Sequence, residues 1–86
     1  MDIVKPYPSP EFRIGDRVSV SSRGGWKRSF PGTISRHPEP VRTLQGDEYF
    51  YWVAFDEPQA CIDDDDEYVE AQVLGCYLTP LDHPSN

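Results

Sequence analysis

Beyond Arg42 the chain contains no lysine and no arginine. All eight basic side chains lie within residues 1–42, against four acids there (Asp2, Glu11, Asp16 and Glu39), while residues 43–86 carry eleven acids. The second half therefore has nothing with which to neutralise phosphates, and it repels a nucleic-acid backbone at long range. Two readings of this asymmetry remain. Consecutive strands that pack as neighbours interleave the halves and spread the charge. Otherwise the surface is polarised and steers a charged partner, or pairs head to tail with a second copy.

Long apolar runs are also missing. The longest, YFYWVAF at residues 49–55, is far short of a membrane span, and MDIVKPYPSPEF at the start has neither a basic leader nor a signal-like apolar stretch. The expectation is a soluble, cytoplasmic protein with no membrane contact. There are two cysteines, Cys61 and Cys76, in no Cys-x-x-Cys spacing. That argues against a zinc site and favours free buried thiols, although the sequence leaves open whether they pair.

Residues suited to catalysis are sparse. His37 and His83 are the only histidines, and neither lies beside a candidate nucleophile. Ser19, Ser21, Ser22 and Ser29 fall in or near a polar loop, where hydroxyls usually satisfy turns, so a catalytic triad has no local support. No cofactor is expected, and the chain reads as non-catalytic. The run Asp63, Asp64, Asp65, Asp66, Glu67 lacks the alternating ligands and central glycine of a calcium loop. It reads as a solvated loop that discourages aggregation, or as a contact for a basic partner.

Aromatics and prolines are what the chain has in quantity. Nine prolines in 86 residues are about twice the ordinary frequency and disfavour long helices. Pro6, Pro8 and Pro10 alternate in an extended arm, residues 1–11. Phe12 and Ile14, a Gly-Asp turn, then Val18 and Val20 alternating with Arg17 and Ser19 predict a half-buried strand. SSRGGWKRSFPG is a Ser, Gly and basic loop, and GTISR is a short strand around Ile34. Residues 37–48 read as a long connection broken by Pro38, Pro40 and Gly46. EYFYWVAFDE predicts the central strand. In VEAQVLGCYLTPL, Gly75 and Pro80 limit any helix to about one turn, so a short helical or 3₁₀ turn feeds a closing strand.

Four of these stretches, GDRV (Gly15 to Val18), Gly32 to Ile34, the aromatic strand ending in FDE, and YLTPL, together resemble the SH3-like small barrels. These include KOW and Tudor-type modules and type II dihydrofolate reductases. The resemblance implies an all-β fold: a small antiparallel SH3-like barrel of about five short strands over residues 12–82, with residues 83–86 as a tail. The Val-Gln-Ile-Tyr strand of the reductases is absent, so no catalytic residue carries over. KOW and Tudor relatives raise nucleic-acid association as one reading, through Arg23, Lys27, Arg28, Arg36 and Arg42 with Trp26 among them. The acidic half makes direct nucleic-acid binding disfavoured.

Alternation decides the central strand. If Tyr51, Val53 and Phe55 fill the core, Phe50, Trp52 and Ala54 must face the other way. Either another segment covers that second set or it forms an apolar patch with acidic neighbours, suited to large aromatic anchors at a protein interface. The leading expectation is a non-catalytic protein-binding module or accessory subunit, with a protein partner of basic character or a second copy. Its candidate residues are Trp26, Phe50, Trp52, Asp63, Asp64, Asp65, Asp66 and Glu67. The alternative is an acidic inhibitor or immunity-type protein that mimics nucleic acid or caps a basic surface.

Overall fold

The computed structural model describes residues 10–63 and 66–81. The arm before Pro10, Asp64 and Asp65, and the tail from residue 82 lie outside the described residues. Six strands run in chain order: β1 (Arg17–Val20), β2 (Phe30–Ile34), β3 (Glu39–Thr43), β4 (Gly46–Ala60), β5 (Glu67–Leu74) and β6 (Leu78–Pro80). The only helical elements among the described residues are 3₁₀ turns at Ser22–Gly24 and Gly75–Tyr77. The fold is all-β as expected, and the turn feeding the closing strand is where the Gly75 and Pro80 breakers put it.

β4 organises the sheet. Along one edge it pairs first with β3, from Gly46 to Phe50, and then with β2, from Val53 to Phe55. Along the other edge it pairs with β5. β1 joins β2 to β6, giving the order β3-β4-β2-β1-β6 with β5 on the far side of β4. All pairings are antiparallel, and the sheet curls into a half-barrel around one core. Two features enforce the curl. Between Ala54 and Gln59 the β4–β5 register slips, so that four residues of β4 oppose Val69 alone, a bulge that bends the strand. It contains Pro58, which has no N–H for a ladder. At Gly32, a Cβ would stand 2.6 Å from Val53 Cγ1 and 2.8 Å from the Ala54 carbonyl, so glycine lets β2 approach β4 closely.

The core comprises Phe12, Val18, Val20, Trp26, Phe30, Ile34, Tyr51, Val53, Phe55, Val73 and Leu78. Val18, Ile34, Val53 and Phe55, expected on the inner side of their strands, are in it, and so is Leu78 of the closing strand. At one end Phe12 meets Tyr51 edge to face, with ring centroids 5.3 Å apart. The Tyr51 hydroxyl accepts the Glu11 amide at 2.8 Å, so the polar tip of a buried ring is satisfied. At the other end Trp26, Phe30 and Phe55 pack mutually edge on at 4.5 to 5.5 Å.

Several local expectations are corrected. Residues 37–48 are not a connection alone: Glu39–Thr43 is a strand, closed onto β4 by the two-residue turn Leu44-Gln45. Pro40 is tolerated because β3 lies at the end of the sheet order, where one side of its backbone needs no partner. The first strand starts at Arg17 and not at Phe12. Ile14 sits in the turn before it and is 50% exposed, with Gly15 at φ +96° and the Arg13 amide held by Asp16 Oδ2 at 2.9 Å. The thiols are free, but Cys61 is only half-buried and Cys76 is exposed. No helix among the described residues is long and apolar enough to cross a membrane.

Candidate interaction surface

The alternation in β4 resolves as predicted on its inner side: Tyr51, Val53 and Phe55 are buried. Phe50, Trp52 and Ala54 take the outer face and are each half-buried. The neighbouring strands determine what surrounds them. The register sets Phe50 between Glu39 of β3 and Leu74 of β5, Trp52 beside Gln72, and Ala54 between Thr33 of β2 and Glu70. The outer face thus carries an apolar row, Phe50, Trp52 and Leu74, with carboxylates on both flanks.

Trp52 is held by a polar network that sequence reading did not foresee. As β2 ends, Ser35 donates its amide to the Trp52 carbonyl at 2.8 Å and its hydroxyl to Glu70 Oε2 at 2.8 Å. Glu70 Oε1 lies 3.5 Å from Arg36 Nη2, and the Arg36 guanidinium sits over the Trp52 ring, 4.4 Å from its centroid. A cation over an indole face is worth about 0.5–1 kcal/mol at an exposed site. The stack also covers part of a ring that would otherwise be open. Nothing in the one-dimensional pattern marks Arg36 and Glu70 as partners, since 34 residues separate them and only the β2–β4–β5 register brings them together. Gln72 Nε2 donates to Glu39 Oε1 at 3.4 Å across the same face.

The remaining candidates fall elsewhere. Trp26 is 8% exposed and belongs to the core; its ring meets Phe30, Phe55 and Tyr68, so it is not available to stack a ligand. Its surroundings in sequence suggested a loop rich in Ser, Gly and basic residues, and the Trp26 amide bonds to the Ser22 carbonyl and the neighbouring Lys27 amide to that of Ala60, which folds this loop against β4. Asp63 and Asp66 are exposed, and Asp64 and Asp65 lie outside the described residues. Glu67 opens β5 and, with Glu57, lines a cleft of about 190 Å³ shared with Lys27, Arg28, Pro58, Gln59 and Ala60. The cleft brings basic residues of the first half against acids of the second.

Ion pairs join the halves as well. Arg17 grips Asp56 with two parallel bonds, Nη1 to Oδ1 at 2.7 Å and Nη2 to Oδ2 at 2.6 Å, and Nη1 also reaches Thr33 Oγ1 at 2.8 Å. Hydrogen bonding to Arg17 pulls the Asp56 carboxyl below its usual range. Arg42 meets Asp47 at 2.9 Å across the β3–β4 hairpin. Among the described residues no group of three or more His, Cys, Asp or Glu side chains is placed to hold a metal ion. No family model, no curated protein and no solved structure matches the chain.

Proposed function

We propose that this chain is a non-catalytic, cytoplasmic protein-binding module on an SH3-like barrel, and that the outer face of β4 is its contact surface. The strand order β6-β1-β2-β4-β5, with a 3₁₀ turn before the closing strand, supports the scaffold. One observation carries the function: Trp52 is outside the core, on a strand face, with its ring oriented by Arg36 and Arg36 by Glu70. A large aromatic fixed in one orientation beside Phe50 and Leu74 loses little entropy on binding, as suits an interface anchor. Carboxylates at Glu39 and Glu70 favour a partner segment that is apolar at its centre and basic at its edge.

The exposed acids Asp63, Asp66 and Glu67 at the β4–β5 end favour a second reading, in which the molecule caps a basic surface. The nucleic-acid reading loses its stacking residue, because Trp26 is in the core.

Trp52→Ala tests the proposal. Dilute monomer should lose about 1 kcal/mol, the worth of the stack and partial burial, against the roughly 3–5 kcal/mol of a truncated core aromatic. Partner affinity should fall by about 2 kcal/mol or more. Denaturation of the dilute protein, paired with titration of partner captured on the wild-type chain, reads both. Severe destabilisation with unchanged affinity would make Trp52 a fold residue and end the proposal.

A further inference from the structure

The outer face of β4 constrains the kind of segment it can accept, given the contact role proposed above for Trp52, on which this inference rests. From Phe50 to Ala54 β4 has neighbours along both edges. β5 pairs along one edge throughout, while Glu39 of β3, the Ser35 amide at the Trp52 carbonyl, and β2 from Val53 take the other. A partner therefore finds no open strand edge along this stretch. An extended segment laid over Phe50, Trp52 and Leu74 would have no ladder to join, and the peptide groups covered by the contact would stay unpaired, at a cost comparable to a lost hydrogen bond each. A helix satisfies its own backbone.

We propose that the occupant is a basic amphipathic helix of a protein partner, its apolar stripe resting on Phe50, Trp52 and Leu74. Size and charge both fit. Phe50, Trp52 and Ala54 span about 13 Å along β4 at ordinary strand rise, the length of about nine helical residues. The register sets Glu39 level with Phe50 on one side of β4 and Glu70 level with Ala54 on the other. The two carboxylates thus stand at opposite corners of the patch, roughly 16 Å apart at the backbone for ordinary strand spacings. A helix about 10–12 Å across with its side chains passes between them, from Leu74 over Trp52 toward Ala54. Lys or Arg on its flanks then reaches the carboxylates while the side-chain stems cover apolar surface. The net charge of -7 adds long-range attraction for such a segment. Glu70 already meets Arg36 at 3.5 Å, so Glu39, which is exposed, is the carboxylate whose loss binding should feel more.

Two synthetic peptides of equal leucine and lysine content, each about 14 residues or roughly four helical turns, test the inference. One places leucine at i, i+3, i+4 and i+7; the other alternates leucine with lysine. Each is titrated into the isotope-labelled full chain, with amide and indole shifts to locate the contact and circular dichroism to follow helix content. The helix-patterned peptide should shift Phe50, Trp52 and Leu74, gain helix on binding, and bind about 10-fold or more tightly than the alternating one. Trp52→Ala should weaken it about 10-fold or more, Glu39→Gln about 3-fold, and added salt should weaken it further. Glu39→Gln keeps the test decisive if Trp52→Ala unfolds the dilute chain. Equal affinity for the two peptides, binding without helix gain, shifts confined to other faces, or unchanged affinity in Glu39→Gln overturns the inference. Nuclear Overhauser contacts between the Trp52 ring and residues 1–9 in the free chain do so too, since the chain's own arm would then be the occupant. If the alternating peptide binds this face equally well and Trp52→Ala weakens both, the helix falls while the contact role stands. If a folded Trp52→Ala leaves both affinities unchanged, the contact role falls with it.

Discussion

At the scale of single residues, the two tryptophans exchange the roles that their surroundings suggest. Trp26 follows two glycines in a basic, serine-rich stretch yet fills the core; Trp52, inside the most apolar stretch, lies on the outer face. Trp26→Ala should therefore cost roughly 3–5 kcal/mol in chemical denaturation, several times the loss at Trp52. Gly32→Ala should cost roughly 1–3 kcal/mol, because its added methyl meets Val53 and the rigid Ala54 carbonyl, and relief requires a backbone shift. Asp56 supplies a pH signature. Its carboxyl is held below the usual range by Arg17, so the native state binds that proton less readily than the unfolded chain. The stabilisation from this pair is therefore full above the unfolded carboxylate range, about pH 4, and is lost as pH falls through the lower native value. In Asp56→Asn the wild-type loss below about pH 4 should be shallower, read from urea midpoints across an acid series.

At the scale of elements, what was legible depended on whether a segment's own pattern settled its structure. β4 was readable because alternation at Tyr51, Val53 and Phe55 needs only one covered face. The closing strand was readable because Gly75 and Pro80 leave room for one turn. β3 was hidden by Pro38 and Pro40, which mark a loop unless the strand lies at a sheet edge, and edge position belongs to the assembled sheet. β5 was obscured because Val73, Leu74, Tyr77 and Leu78 are spaced as on a helix, while they in fact span a strand end, a 3₁₀ turn and the next strand. On the candidate surface, the sequence supplied Phe50 and Trp52 but could not supply Ser35, Arg36 and Glu70, which register alone brings together. The β3–β4 hairpin that flanks this surface turns on Gly46 at φ +123°. Gly46→Ala should lower stability by more than about 1 kcal/mol, and amide exchange should quicken first in β3, which among the described residues pairs with β4 alone.

At the scale of the whole molecule, the sharp division of charge along the chain is largely undone by folding. Each of three ion pairs among the described residues joins a base from the first half to an acid from the second, and the Lys27 and Arg28 cleft faces Glu57 and Glu67. What stays concentrated in sequence is the run from Asp63 to Glu67. Adjacent like charges raise the energy of a compact state by mutual repulsion. Changing Asp63, Asp64, Asp65 and Asp66 together to Asn should therefore leave the unfolding midpoint unchanged or raise it. Any gain should be largest at low ionic strength and should fade toward 1 M salt, where screening shortens to about 3 Å. Partner binding through the Trp52 face should persist in this variant, with at most a slower approach. If binding is lost instead, and in the wild type falls steeply with salt, the acidic run is the contact and the molecule caps a basic surface. A wild-type melting temperature that rises with calcium, and no longer does so in the variant, would assign the run to a cation. Thermal melts with and without calcium, paired with partner titrations at two salt concentrations, separate the three outcomes.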